Sequence, residues 1–136
     1  MKTIQLQITL LVAAAVYLGW GLGLLLAPEA VYPWLSSGPY DRAVTGLFGV
    51  SLLGFMVTFL IAARDPVKEI VRAAAAAIAL IGFTAAYLMF GSKHMPFNLV
   101  TGLSLVVDVA AAGILFLTEA KLDLERHSHK PATAKR

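Results

Sequence analysis

No cysteine occurs in this chain, which excludes disulfides, thiolate zinc sites and cysteine-held iron–sulfur clusters. Charge is scarce as well. Asp, Glu, Lys and Arg make up 14% of the 136 residues, against ~25% in ordinary soluble domains. Histidine is confined to His94, His127 and His129, none of them inside an apolar run, so no span offers a haem ligand. His94 sits in a short hinge, and His127 and His129 form one HxH in a basic tail expected to be solvated. No metal or other cofactor is therefore expected. The sequence also lacks a Ser/His/Asp set, a phosphate-binding loop and a pair of buried acids. It reads as non-enzymatic.

What is abundant is apolar surface: 59% of the residues are hydrophobic. They fall into four blocks, each matching the ~20 residues that a membrane-crossing helix needs. The expected fold class is all-α, an integral membrane four-helix bundle with spans at about 6–26, 43–63, 70–90 and 97–118. Residues 1–118 form the four-span domain, and 119–136 a cytoplasmic helical extension and flexible basic tail. A cleaved signal peptide has a core of ~7–15 apolar residues and a small-x-small exit. Here the first run is longer and ends in Leu26-Ala27-Pro28-Glu29-Ala30, which favours an uncleaved helix.

Between the first two spans lie Pro28, Pro33 and Pro39, with Tyr32, Trp34 and Tyr40. Proline breaks helices, while Trp and Tyr favour the head-group layer. This segment is expected on the membrane surface, with a short helix opening at Pro28 and Glu29. Asp41 is placed to cap span two, Asp65 to cap span three with Pro66 at its first position, and Gly91 to Pro96 to form a hinge.

Orientation follows from the basic residues. Lys2, then Arg64, Lys68 and Arg72, then Lys121, Arg126, Lys130, Lys135 and Arg136 share one side; Arg42 and Lys93 share the other. Positive residues stay in the cytoplasm, so both termini are expected there. The net charge of +3 is explained by topology and anionic lipid, not by nucleic acid.

Asp108 is the one anomaly. It lies mid-span, where an acid costs on the order of 2.5–3.5 kcal/mol, and should face the bundle interior. Thr101, Ser104, Asp108, Ala111 or Ala112, and Leu115 follow helical spacing and form one stripe. No Lys or Arg lies at that depth, so Tyr17 in span one is the first choice of partner and Ser104 the second. The structural reading is an interhelical hydrogen bond that fixes packing. The functional one is a ligand or proton site at Asp108, Ser104, Thr101 and Tyr17. A contact with a separate membrane subunit is the third. Glycines are the second signal: Gly19 and Gly23 form a GxxxG, and Gly46, Gly49 and Gly54 recur in span two. Small residues let helices approach closely, so these five are expected to serve packing within the bundle.

The order of motifs resembles that of small bacterial four-span proteins of unknown function, the DoxX-like and BphX-like kind. It rests on Gly19, Gly21 and Gly23 running into Leu24-Leu25-Leu26-Ala27-Pro28, and on Arg42 ahead of Gly46, Gly49 and Gly54. Ala62-Ala63-Arg64-Asp65-Pro66, and Pro96 ahead of a buried acid in span four, complete it. In that family the acid is more often Glu; Asp108 keeps the carboxyl and shortens its reach. The resemblance implies a four-helix bundle in the bacterial inner membrane, with some wider relatives serving as accessory subunits of quinone-linked oxidoreductases.

Two functional expectations follow. The leading one is an accessory or scaffold subunit, with the lipid bilayer and other membrane subunits or further copies of the chain as partners. The alternative is a transporter or binding protein for a small hydrophobic or cationic ligand, a quinone among the options, that uses the carboxyl of Asp108.

Overall fold

The computed structural model describes the backbone of residues 2–65 and 67–128, and the side chains of 4–65 and 67–118. Five α-helices and no strand occur among them: α1 (Lys2–Leu26), α2 (Pro28–Leu35), α3 (Arg42–Arg64), α4 (Lys68–Ala86) and α5 (Leu99–Ser128). A π-helical turn, Tyr87–Gly91, extends α4. Four segments are long and apolar enough to cross a membrane: Ile4–Leu26, Arg42–Arg64, Lys68–Gly91 and Leu99–Thr118. Pro66 and the tail from residue 129 lie outside the described residues.

Only 28–33% of each apolar window is buried within the chain. Leu26, Phe83, Leu99 and Leu80 are among many large apolar side chains left exposed. A soluble monomer rarely shows contiguous apolar patches beyond a few hundred Å². Hydrocarbon as the outer solvent removes that cost, and helices satisfy their own backbone groups there. The chain fits a multi-pass membrane protein.

Caps set the helix ends. Asp41 Oδ1 accepts from the N–H groups of Ala43 at 2.8 Å and Val44 at 3.1 Å, as its position before span two suggested. Pro28 and Glu29 occupy the first turn of α2, matching the short helix expected there, although that helix continues through Pro33. The expectation that Asp65 caps the third span is corrected. Asp65 ends α3, its N–H bonding to the Ile61 carbonyl, and Val67 precedes α4 with no side-chain cap. The Asp65 carbonyl instead accepts the Val67 N–H at 2.8 Å, which tightens the turn. The fourth long helix begins at Leu99, two residues after the expected Phe97. Asn98 explains the shift: its Oδ1 accepts from Val100 and Thr101, both at 3.0 Å, while Thr101 Oγ1 accepts the Asn98 N–H at 3.1 Å. This is a reciprocal cap.

Around the bundle the helices run α3, α1, α5, α4. The α1–α3 and α4–α5 pairs are the most extensive and α1–α5 joins them, whereas α3 and α4 touch little despite being consecutive. Each contributes one stripe to the core at helical spacing: Leu6, Leu10, Ala13, Tyr17 and Leu24; Thr45, Gly49, Leu52, Phe59 and Ala63; Val71, Ala75, Ile78 and Gly82; Thr101, Asp108, Ala111 and Leu115.

The glycines divide sharply. Gly21 and Gly49 form the α1–α3 crossing: a Cβ on Gly49 would lie 3.1 Å from the Gly21 carbonyl oxygen, and one on Gly21 only 2.7 Å from Leu53 Cδ2. Gly23 packs against Val31 of α2. Gly19, Gly46 and Gly54 have no described atom within 4 Å of their Cβ position. The Gly19–Gly23 pair is therefore not the packing unit. A helix presents its residues at ~100° steps, so Gly21 takes the face toward α3 that Gly19 misses.

Candidate functional site

Asp108 lies nine residues into α5, roughly 14 Å along the axis at 1.5 Å per residue, near the middle of the span. Its side chain is 6% exposed and turned inward. Gly82 of α4 makes room for it: a Cβ there would stand 3.3 Å from Asp108 Cβ. That notch was not singled out in the sequence, although a glycine between Ile81 and Phe83 was its visible trace.

Tyr17 reaches the same place from α1. Edge-on contacts with Phe59, at 5.1 Å between centroids and 85° between planes, and with Phe55, at 6.3 Å and 74°, hold its ring. The side chain is 3% exposed. Its hydroxyl and the Asp108 carboxyl are neighbours close enough to couple electrostatically. They stand close to hydrogen-bond range of each other without reaching bonding geometry. Tyr17 Oη and Asp108 Oδ1 are buried and have no hydrogen-bonding partner among the described residues. Buried polar atoms are nearly always satisfied, and an exception carries a cost of about 1–3 kcal/mol.

Both residues line one cavity of about 300 Å³, between the helices in the half of the bundle nearer α2. The other polar groups in its wall are committed to the protein. Trp20 Nε1 donates to Ser104 Oγ at 2.8 Å, and Ser104 donates to the Val100 carbonyl at 3.0 Å. Thr101 donates to the Pro96 and Asn98 carbonyls, both at 3.2 Å, and Thr84 to that of Leu80 at 2.8 Å. The remaining wall is apolar and includes Phe48, Leu52, Leu80, Leu105, Met89 and Met95.

The residues singled out from the sequence thus separate. Tyr17 and Asp108 come together, Ser104 and Thr101 stand in the same wall with their hydroxyls engaged, and Ser104 serves Trp20 rather than the carboxyl. Trp20 is the addition. Aromatic residues are common near span ends, so its sequence position carried no distinguishing signal.

Phe48 of α3 and Leu80 of α4, both in the wall, are 47% and 68% exposed. They flank the side where α3 and α4 part, so the cavity opens sideways toward what would be lipid. Over its α2 end, Ser37 donates from both N–H and Oγ to the His94 carbonyl at 3.1 Å, and Asn98 Nδ2 donates to the Trp34 carbonyl at 3.1 Å. Leu35 and Met95, carried by these tied segments, complete the wall. No group of three or more His, Asp or Glu side chains suited to a metal ion occurs among the described residues.

A scan of protein-family models and searches of curated proteins and solved structures found no match to the chain.

Proposed function

We propose that this protein binds a small amphipathic molecule taken up sideways from the bilayer, with the ligand's polar end at Asp108 and Tyr17. One observation supports this reading above the scaffold role: two adjacent buried polar atoms without protein partners face an apolar cavity of about 300 Å³. That volume is at the lower end of ligand pockets, ~300–1,000 Å³. Polar groups that serve only as glue between spans are bonded to each other. These two are not. The site lacks a second acid or a positioned base, so binding or carriage is proposed and catalysis is not.

Native mass spectrometry of the protein extracted in mild detergent tests this. A bound small molecule on the wild-type chain, lost in Asp108→Asn with the fold retained by circular dichroism, is the expected result. Identical spectra for both proteins would count against it.

An accessory role in a larger membrane assembly is the second reading. Its support is the open space at Gly19, Gly46 and Gly54, which leaves the outer surfaces of α1 and α3 shallow enough for another helix. The same spectra would carry additional chains if it holds. The DoxX-like resemblance and the bacterial inner membrane belong to this proposal too, with cytoplasmic termini favoured by the basic-residue bias.

A further inference from the structure

We infer that the ligand is a hydrophobic amine, its ammonium group seated between Asp108 and Tyr17 and its apolar body filling the rest of the cavity; this rests on the binding reading above. The chemistry of the two free atoms points that way. An ammonium group brought beside Asp108 would hold its carboxyl in the ionised form, in which both oxygens accept hydrogen bonds, and a phenolic oxygen accepts as well as donates. A nitrogen bearing two or more N–H groups can therefore serve Asp108 Oδ1 and Tyr17 Oη at once.

Charge narrows the class further. Among the described residues no Lys, Arg or His lines the cavity, so the protein supplies no countercharge to Asp108. An acidic ligand would place two acids side by side with no cation lining the cavity, and low dielectric makes a pair of negative charges there costly. An alcohol could satisfy both hydrogen bonds but carries no charge to pair with the carboxyl. An ammonium group does both tasks, and charge-assisted hydrogen bonds are roughly twice as strong as neutral ones. The rings of Tyr17, Trp20 and Phe48 in the wall suit it too, because aromatic faces attract cations.

The mouth accounts for selection of a hydrophobic amine over a hydrophilic one. Its flanks, Phe48 and Leu80, are apolar and outward-facing, and the α2 end is closed over by hydrogen-bonded segments. A ligand arriving through hydrocarbon must first partition there.

Calorimetric titration of the full chain in phosphatidylcholine nanodiscs, with protein-free nanodiscs as the partition control, tests the assignment. The probes are 4-phenylbutylamine and 4-phenylbutanol, matched in shape and differing in the head. The amine should bind saturably, one per chain, and about tenfold or more tighter than the alcohol. Asp108→Asn should lower amine affinity by a similar factor and leave the alcohol within about twofold, and Asp108→Glu should recover part of the loss. Equal binding of amine and alcohol to the wild-type chain would overturn the amine assignment and leave the cavity as a binding site. If neither probe gave heat beyond the control, the binding reading itself would fall. Should Asp108→Asn not assemble, the amine-to-alcohol ratio on the wild-type chain still decides.

Discussion

The α1–α3 seam and the cavity between the four long helices lie side by side and follow opposite rules. At the seam, Gly21 and Gly49 bring two backbones together and leave no space; the nearest polar atoms are carbonyls already held in their helices. At the cavity, two polar atoms stand without partners in a wall of apolar side chains. In lipid, association has no hydrophobic drive between helices and depends on close packing. A small bundle can therefore hold an unsatisfied site only where a neighbouring interface is tight enough to carry it. The seam supplies stability, and the cavity spends some of it.

The largest test of this contrast is Gly49→Leu. No flexible side chain can yield, because the Gly21 carbonyl lies 3.1 Å from the new Cβ. A loss of about 3 kcal/mol, the upper end for overpacked interiors, should appear as failure to assemble in size-exclusion chromatography. Next comes Asp108→Leu, with the opposite sign. Removing an unpartnered buried carboxyl should raise thermal stability by about 1–3 kcal/mol while abolishing amine binding, as expected where a site was retained at the expense of stability. A fall in melting temperature would mean that the carboxyl holds the bundle together. Trp20→Phe removes the donor to Ser104 and should cost about 1 kcal/mol; Ser104 keeps its bond to Val100, so helix α5 stays intact. The smallest effect sharpens the seam. Gly19→Ala meets no described atom within 4 Å and should be neutral or gain up to ~1 kcal/mol of helix propensity. Loss of an otherwise co-purifying chain in that variant would identify this face of α1 as a partner surface.

Three kinds of feature were visible in the chain to different degrees. Spans were plain, because a run of ~20 apolar residues has one low-cost conformation in hydrocarbon. Local caps were visible only when a single residue carried them. Asp41 was read correctly. Asp65 was misplaced because the turn is tightened by its backbone carbonyl, and the Asn98 cap was missed because Pro96 in the hinge drew the boundary earlier. The site was half visible. An acid in mid-span must face inward, and Tyr17 was the one polar aromatic at a comparable depth, but Trp20 and Gly82 gave no pattern of their own.

Sequence alone therefore determined the number of long apolar helices, their approximate ends and the inward aim of Asp108, all consequences of solvent acting on one helix at a time. Tertiary structure decided the rest. Which glycines touch depends on the rotation of one helix against another, because Gly19 and Gly21, two steps of ~100° apart, point to nearly opposite faces of α1. That Tyr17 and Asp108 come together, and that α3 and α4 part to leave a cavity, depends on how four helices share space. No single span encodes such a relation.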